Sequence, residues 1–242
     1  MTLLMIIVIV SYALMHTIEI ASIGSRVAGR LKKRVALGTT LQQSIKTISV
    51  FLLVPFLPAL GFLVESGILI DDYIMLFLLS FVLSFIASIT MIYKLNRVQN
   101  FFQKVFINYK SRTIPVALWK SFFKNKMNFD SEHCEPFSFN KVVIKKTLVS
   151  FIAYLFLTTG FFIAFFLAIL YPENRLTLSQ FTATFHGFGA VIFAFYIDPM
   201  LSRSIDTMEN KEAWIKNIYS ILVGRSLSYL TVIMFLIIYY LF

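Results

Sequence analysis

Six long apolar segments constrain this chain more than any other feature. They lie at about 1–24, 47–70, 73–93, 147–170, 180–200 and 219–241. Each is near the roughly 20 residues that a helix needs to cross a bilayer. Lipid offers no hydrogen-bond partners, so a spanning backbone must satisfy itself, and these continuous runs lack the alternation of barrel strands. The expected fold is therefore all-α: a polytopic membrane protein, with a bundle of six transmembrane helices forming one integral membrane domain over residues 1–242. Composition agrees, with 58% hydrophobic residues, 14% charged residues and 27 phenylalanines in 242 positions. A soluble domain of this size could not cover so much apolar surface. The first run starts at Met1 with no basic flank before it. It reads as a first transmembrane helix, unlike a cleaved signal peptide.

The net charge of +10 reports topology. The loop after the first segment carries Arg26, Arg30, Lys32, Lys33, Arg34 and Lys46 and no acid. The loop after the third carries eleven bases, from Lys94 to Lys146, against Asp130, Glu132 and Glu135. The loop after the second has Glu65, Asp71 and Asp72 and no base. Cytoplasmic loops collect Lys and Arg, so the two basic loops face the cytoplasm and both termini lie outside. No nucleic-acid partner is needed to explain the charge. Cys134, the single cysteine, has no disulfide partner and no metal-ligand spacing around it.

The long loop 94–146 is expected to be amphipathic and interfacial. Phe101, Phe102, Val105, Phe106 and Tyr109 share one helical face, with Lys104, Asn108 and Arg112 on the other. Pro115 opens a second stretch, Val116 to Phe123, with Trp119 between bases. Basic helices with aromatic anchors lie in the membrane interface. This segment either rests on anionic lipid or forms a cytoplasmic collar at a lipid entry site.

Ionisable residues inside spans are costly and are functional candidates by default. On the first segment Tyr12, His16, Glu19, Ile23, Arg26 and Arg30 fall in a stripe about 80° wide. Ala21, Ser25 and Gly29 form a small-residue run on the opposite side, suited to close helix packing. The stripe is expected to face a cavity, with Glu19 either functional or paired to Arg26 or another arginine. His186, beside Gly187 and Gly189, reads as a satisfied structural histidine. Asp198 and Arg225 flank one hairpin at similar depth and could pair with each other. Pro55 and Pro58 suggest a bent or broken second helix, a feature that transporters place at midplane sites.

The chain carries no Gly-rich phosphate loop, no His-Glu-x-x-His, no Cys pair and no Gly-x-Ser-x-Gly. No catalytic residue, metal, cofactor or ATPase subunit is expected. What remains is a basic vestibule of Arg26, Arg30 and Arg225, ordered by Glu19 and Asp198. Arginine forks match phosphate oxygens, so the natural partners are membrane lipids and a lipid-linked anionic substrate. An inside-negative potential favours outward movement of negative charge by about 2.3 kcal/mol per charge per 100 mV.

The segment from His16 to Gly29, HTIEIASIGSRVAG, resembles the opening motif of the Amj family. These are bacterial six-span membrane proteins that act as lipid II flippases alternate to the MurJ type. The His-x-Ile-Glu and Ser-x-Arg-x-Ala-Gly elements carry most of the likeness. Asp198-Pro199-Met200-Leu201-Ser202, the polar loop after it, and Gly224-Arg225 are also similar. Ile20 departs from the pattern, where Thr follows the Glu, and leaves a related lipid substrate open. The resemblance implies export of the undecaprenyl-pyrophosphate-linked peptidoglycan precursor across the bacterial plasma membrane. It carries over His16, Glu19, Arg26, Asp198 and Arg225 as site residues. On this reading the arginines bind pyrophosphate, Glu19 and Asp198 order them, and His16 donates to sugar or phosphate. Pro55 and Pro58 supply the bend for alternating access. Two other classes compete: a substrate-binding membrane subunit of an energy-coupling vitamin transporter, and a membrane enzyme acting on isoprenoid phosphates. Copurification with an ATPase module would favour the first, and turnover of such a lipid the second.

Overall fold

The structure is a computed structural model that describes residues 1–109, 113–123, 134–206 and 211–241. Arg112, Asp130 and Glu132, used in the charge and face arguments above, lie outside the described residues. All regular structure among the described residues is helical: α1 (Thr2–Leu31), α2 (Val35–Val50), α3 (Leu53–Glu65), α4 (Ile70–Tyr109), α5 (Ile114–Phe123), α6 (Ile144–Leu170), α7 (Arg175–Ile192), α8 (Asp198–Asp206) and α9 (Lys211–Leu241). A π-helical turn, Phe193–Ile197, joins α7 to α8. Six stretches are long and apolar enough to cross a membrane: α1, α2 with α3, α4, α6, α7 running on to Arg203, and α9.

Several helices run well past the apolar segments. The second stretch starts at Val35, ahead of the apolar run at 47, because a short turn folds α2 back onto α1. Lys33 takes a left-handed φ of 55° in that turn, and the Arg34 N–H donates to Gly29 O at 2.7 Å. Close contact then holds the hairpin. Ser25 Oγ donates to Gly38 O at 3.0 Å. A Cβ on Gly38 would lie 2.8 Å from Ser25 O and 2.9 Å from Gly29 Cα. Small residues let backbones approach this closely inside a membrane, where dispersion replaces the hydrophobic effect as the driving force.

The second stretch is broken at Phe51–Leu52, just ahead of both prolines. Pro55 has no N–H to give the carbonyl four residues back. Phe51 O accepts a shorter-range bond from Val54 N at 3.1 Å instead. Pro55 therefore sits in the first turn of α3, and Pro58 alone lies in its interior.

α4 continues to Tyr109 across a kink at Lys94, where φ is −102° and ψ is 15°. This corrects the reading of residues 101–109 as a face laid on lipid. Phe102, Val105 and Phe106 are buried against Ala28 of α1 and Leu41 and Ile45 of α2. Phe101 is half-buried and Tyr109 exposed. The periodicity was real, but protein covers the face. α1 and α2 extend as far as α4 does, and Gly24 leaves room for Val98 and Phe102. α5 packs on α4 through Ala117 and Ser121, with Asn108 Nδ2 donating to Ser121 Oγ at 2.9 Å. Trp119, Phe122 and Phe123 on α5 are each about 70% exposed. They form the aromatic surface suited to an interface.

α1 packs on α2, α3 and α4, while α6 packs on α7 and α9. α4 and α9 meet along a seam where Ser88 and Ser226 hydroxyls bond at 2.7 Å. Ser80 and Ser84, two turns and one turn away on α4, are also buried and bond back to Leu76 O and Ser80 O. An aromatic core lies at the centre. The Phe77 and Phe162 rings stack at 4.4 Å, and Tyr12 OH donates to Thr158 O at 2.9 Å.

Gly38→Leu should force α1 and α2 apart. Overpacking of this kind costs about 1–3 kcal/mol, so the thermal midpoint of the detergent-solubilised protein should fall. Gly187→Ala, where an added Cβ meets nothing within 4 Å, should not lower it.

Candidate functional site

The polar stripe of α1 faces the middle of the bundle, and four other elements bring partners to it. α9 supplies Arg225 and, one turn on, Tyr229. Gly224 allows this approach, since a Cβ there would fall 2.5 Å from Thr147 O on α6. α6 supplies Tyr154, α2 supplies Lys46, and the π turn supplies Phe193 and leads into Asp198.

Arg225 is 2% exposed, and its nitrogens are engaged by three side chains. Nη2 donates to Glu19 Oε2 at 2.9 Å and to His16 Nδ1 at 2.8 Å. Nε donates to Tyr229 OH at 3.0 Å. The guanidinium carbon lies 4.6 Å from the Tyr154 ring centroid, a cation–π contact. A guanidinium has donors only, so His16 Nδ1 is the acceptor here. In this arrangement a neutral His16 carries its proton on Nε2, which is buried and has no hydrogen-bond partner among the described residues. Glu19 Oε2 lies 3.2 Å from His16 Nδ1, and one arginine nitrogen serves both.

Arg26 is 3% exposed, and its Nη2 pairs with Asp198 Oδ1 at 3.1 Å. Its Nε and Nη1 are buried without hydrogen-bond partners among the described residues. The expected Asp198–Arg225 pair is thus corrected: Asp198 pairs with Arg26, and Glu19 with Arg225. Similar depth on two helices does not determine which way each side chain turns. The close α9–α6 packing at Gly224 sets Arg225 beside Tyr154 and α1, and Asp198 meets α1 further along. Arg30 and Arg26 are not among the residues that line the cavity shared by His16, Glu19, Asp198 and Arg225, and the Arg30 guanidinium stands 5.0 Å from the Trp214 ring.

That cavity has a volume of about 330 Å³, and His16, Glu19, Lys46, His186, Asp198 and Arg225 are among its lining residues. It is open to one side. Thr47 and Val50 of α2, and Ala190 and Ala194 near the π turn, are exposed along its wall. The gap therefore lies sideways, between α2 and the α7 region.

Two lining residues carried no functional weight in the sequence. Lys46 counted as a loop charge, because hydropathy alone starts the second span at 47. The polar spacing of Gln42, Gln43 and Lys46 was the available signal for a helix already under way. His186, read as a satisfied structural histidine, is exposed and faces the cavity, with its ring 5.6 Å from that of Phe161. Among the described residues, no group of three or more His, Cys, Asp and Glu side chains is placed to hold a metal ion.

Removing one partner of a buried ion pair strands the other charge, at a cost of about 3–5 kcal/mol. Arg225→Met should therefore lower the thermal midpoint sharply. Adding Glu19→Gln to it should recover part of the loss, a coupling that a double-mutant cycle measures.

No curated protein and no solved structure matches the chain. A family model does, over residues 12–235: Amj, described as "Alternate to MurJ". The match reaches into all six spanning stretches and takes in the α1 stripe and the Asp198 and Arg225 segments, and the chain belongs to the Amj family.

Proposed function

We propose that this protein is a lipid II flippase. It moves the undecaprenyl-pyrophosphate-linked peptidoglycan precursor from the inner to the outer leaflet of the bacterial plasma membrane. The observation that carries this reading is the half-open cavity at span depth. Lys46 and Arg225 line it together with two carboxylates, Glu19 and Asp198, and Arg26, paired to Asp198 from behind, makes a third cation. A buried site with surplus positive charge selects an anion, and a lateral gap selects one that arrives from the bilayer. A lipid pyrophosphate meets both demands. Membership of a family described as alternate to MurJ supports the same reading.

The basic loops face the cytoplasm, so the precursor enters from the inner leaflet past the aromatic surface of α5. Its tail stays in lipid while the pyrophosphate enters the gap between α2 and the π turn. His16, Glu19, Arg26, Asp198 and Arg225 set the field within the cavity. The break at Phe51–Leu52, with Pro55 and Pro58 behind it, lets α3 swing relative to α2 and open the opposite side. The membrane potential drives the anion outward. No bond is broken, and no ATPase is required.

The deciding experiment is complementation in a bacterium depleted of its own lipid II flippases. Expression should restore growth and lipid II in the outer leaflet. A well-expressed protein that restores neither overturns the reading. The orientation is checked separately on a variant with Cys134 replaced. Lys33→Cys should react with an impermeant maleimide only after the membrane is permeabilised, and Thr2→Cys in intact cells.

A further inference from the structure

The cations around the cavity differ in how firmly they are held. Arg225 would have to release Glu19 and His16 before its Nη2 could turn to a ligand. Arg26 is locked to Asp198 and does not line the cavity. Lys46 lines it, and its ammonium has no carboxylate or hydrogen-bond partner among the described residues. What holds it is the face of Phe193, with Nζ 4.0 Å from the ring centroid. An aromatic face attracts a cation less strongly than a phosphate oxygen does.

Phe193 is also in an unusual place. It opens the π-helical turn that ends at Ile197, one residue before Asp198. Such turns are rare and are found mostly at functional sites, because they widen a helix and re-aim its side chains. Here the turn puts an aromatic ring under Lys46 at one end and a carboxylate on Arg26 at the other. Lys46 thus reaches across the gap from α2 to the π turn. Gln43 and Thr47, also lining the cavity, are exposed on either side of it and can donate to oxygens of a head group.

We propose that Lys46 is the phosphate receptor of this cavity and that Phe193 is its resting place. A phosphate or diphosphate group draws the ammonium off the ring and so unlatches α2 from the π turn. Arg26 and Arg225 are positioning residues that hold the cavity together. The proposal rests on the reading of the cavity as a site for a lipid-borne phosphate, and names the residue that receives it.

The test uses the full chain in phosphatidylcholine nanodiscs. One arm measures binding of undecaprenyl pyrophosphate by native mass spectrometry, and the other measures inorganic pyrophosphate. Lys46→Gln should weaken binding about tenfold, as expected for loss of one charge-assisted contact. Lys46→Arg should restore most of it. Phe193→Leu, which frees the lysine, should bind at least as tightly as the parent. Lys120→Gln on α5 makes the same charge change away from the cavity and should bind as the parent does. Thermal midpoints verify that each variant is folded. If the parent binds the lipid and Lys46→Gln binds it equally well, the receptor assignment is overturned and the flippase reading stands. If inorganic pyrophosphate alone binds, with the same dependence on Lys46, the assignment stands and the lipid reading falls. If the parent binds neither, both fall.

Discussion

A guanidinium almost wholly withdrawn from water is the constraint around which this bundle is organised. Taking such a charge out of water costs several kcal/mol unless the surroundings replace its hydration. Arg225 meets that demand with a carboxylate and an imidazole from α1, a phenol from its own helix and an aromatic face from α6. Each of those groups must arrive at hydrogen-bond or ring-contact distance, which sets α1, α6 and α9 relative to one another. The small residues serve the same end. Gly224 sets α9 close to α6, and Ser25, Gly29 and Gly38 set α2 close to α1.

The same economy explains why charge can exist here without closing the cavity. Arg225 and Arg26 are neutralised by carboxylates on other elements, so the framework carries little free charge. The surplus sits on Lys46, at the rim, where a flexible chain can move. On the proposed reading, paired charges inside and a lysine resting on an aromatic face at the edge let an anion bind while the framework stays together.

The architecture was legible in the sequence because lipid makes hydrophobic length decisive. Six apolar runs could be read directly. The stripe on α1 was equally legible, since helical periodicity places His16, Glu19 and Arg26 on one face. Three matters were not. Pairing depends on how helices rotate against one another, so the partners of Asp198 and Arg225 came out differently. Helix length beyond the apolar core depends on packing, so hydropathy alone leaves the start of α2, Lys46 with it, and α4 beyond Lys94 outside the spans. An apolar face such as that of Phe102 and Phe106 shows that something covers it, and only the fold shows that α1 and α2 do. The π turn leaves no recognisable mark in composition at all.

The serine seam between α4 and α9 has one further consequence. Ser80 and Ser84 spend their hydroxyls on their own helix, and Ser88 with Ser226 makes the hydroxyl bond that crosses. α1–α5 and α6–α9 meet along this seam, and the Phe77–Phe162 stack and the Tyr12–Thr158 and Tyr73–Phe162 bonds also cross between them. Arg225–Glu19, Arg26–Asp198 and Lys46–Phe193 all span from one set of helices to the other. The charged groups of the cavity are thus among the contacts that join the two sets of helices. On the proposed reading, an anion that competes for them loosens that joint as well as filling the cavity.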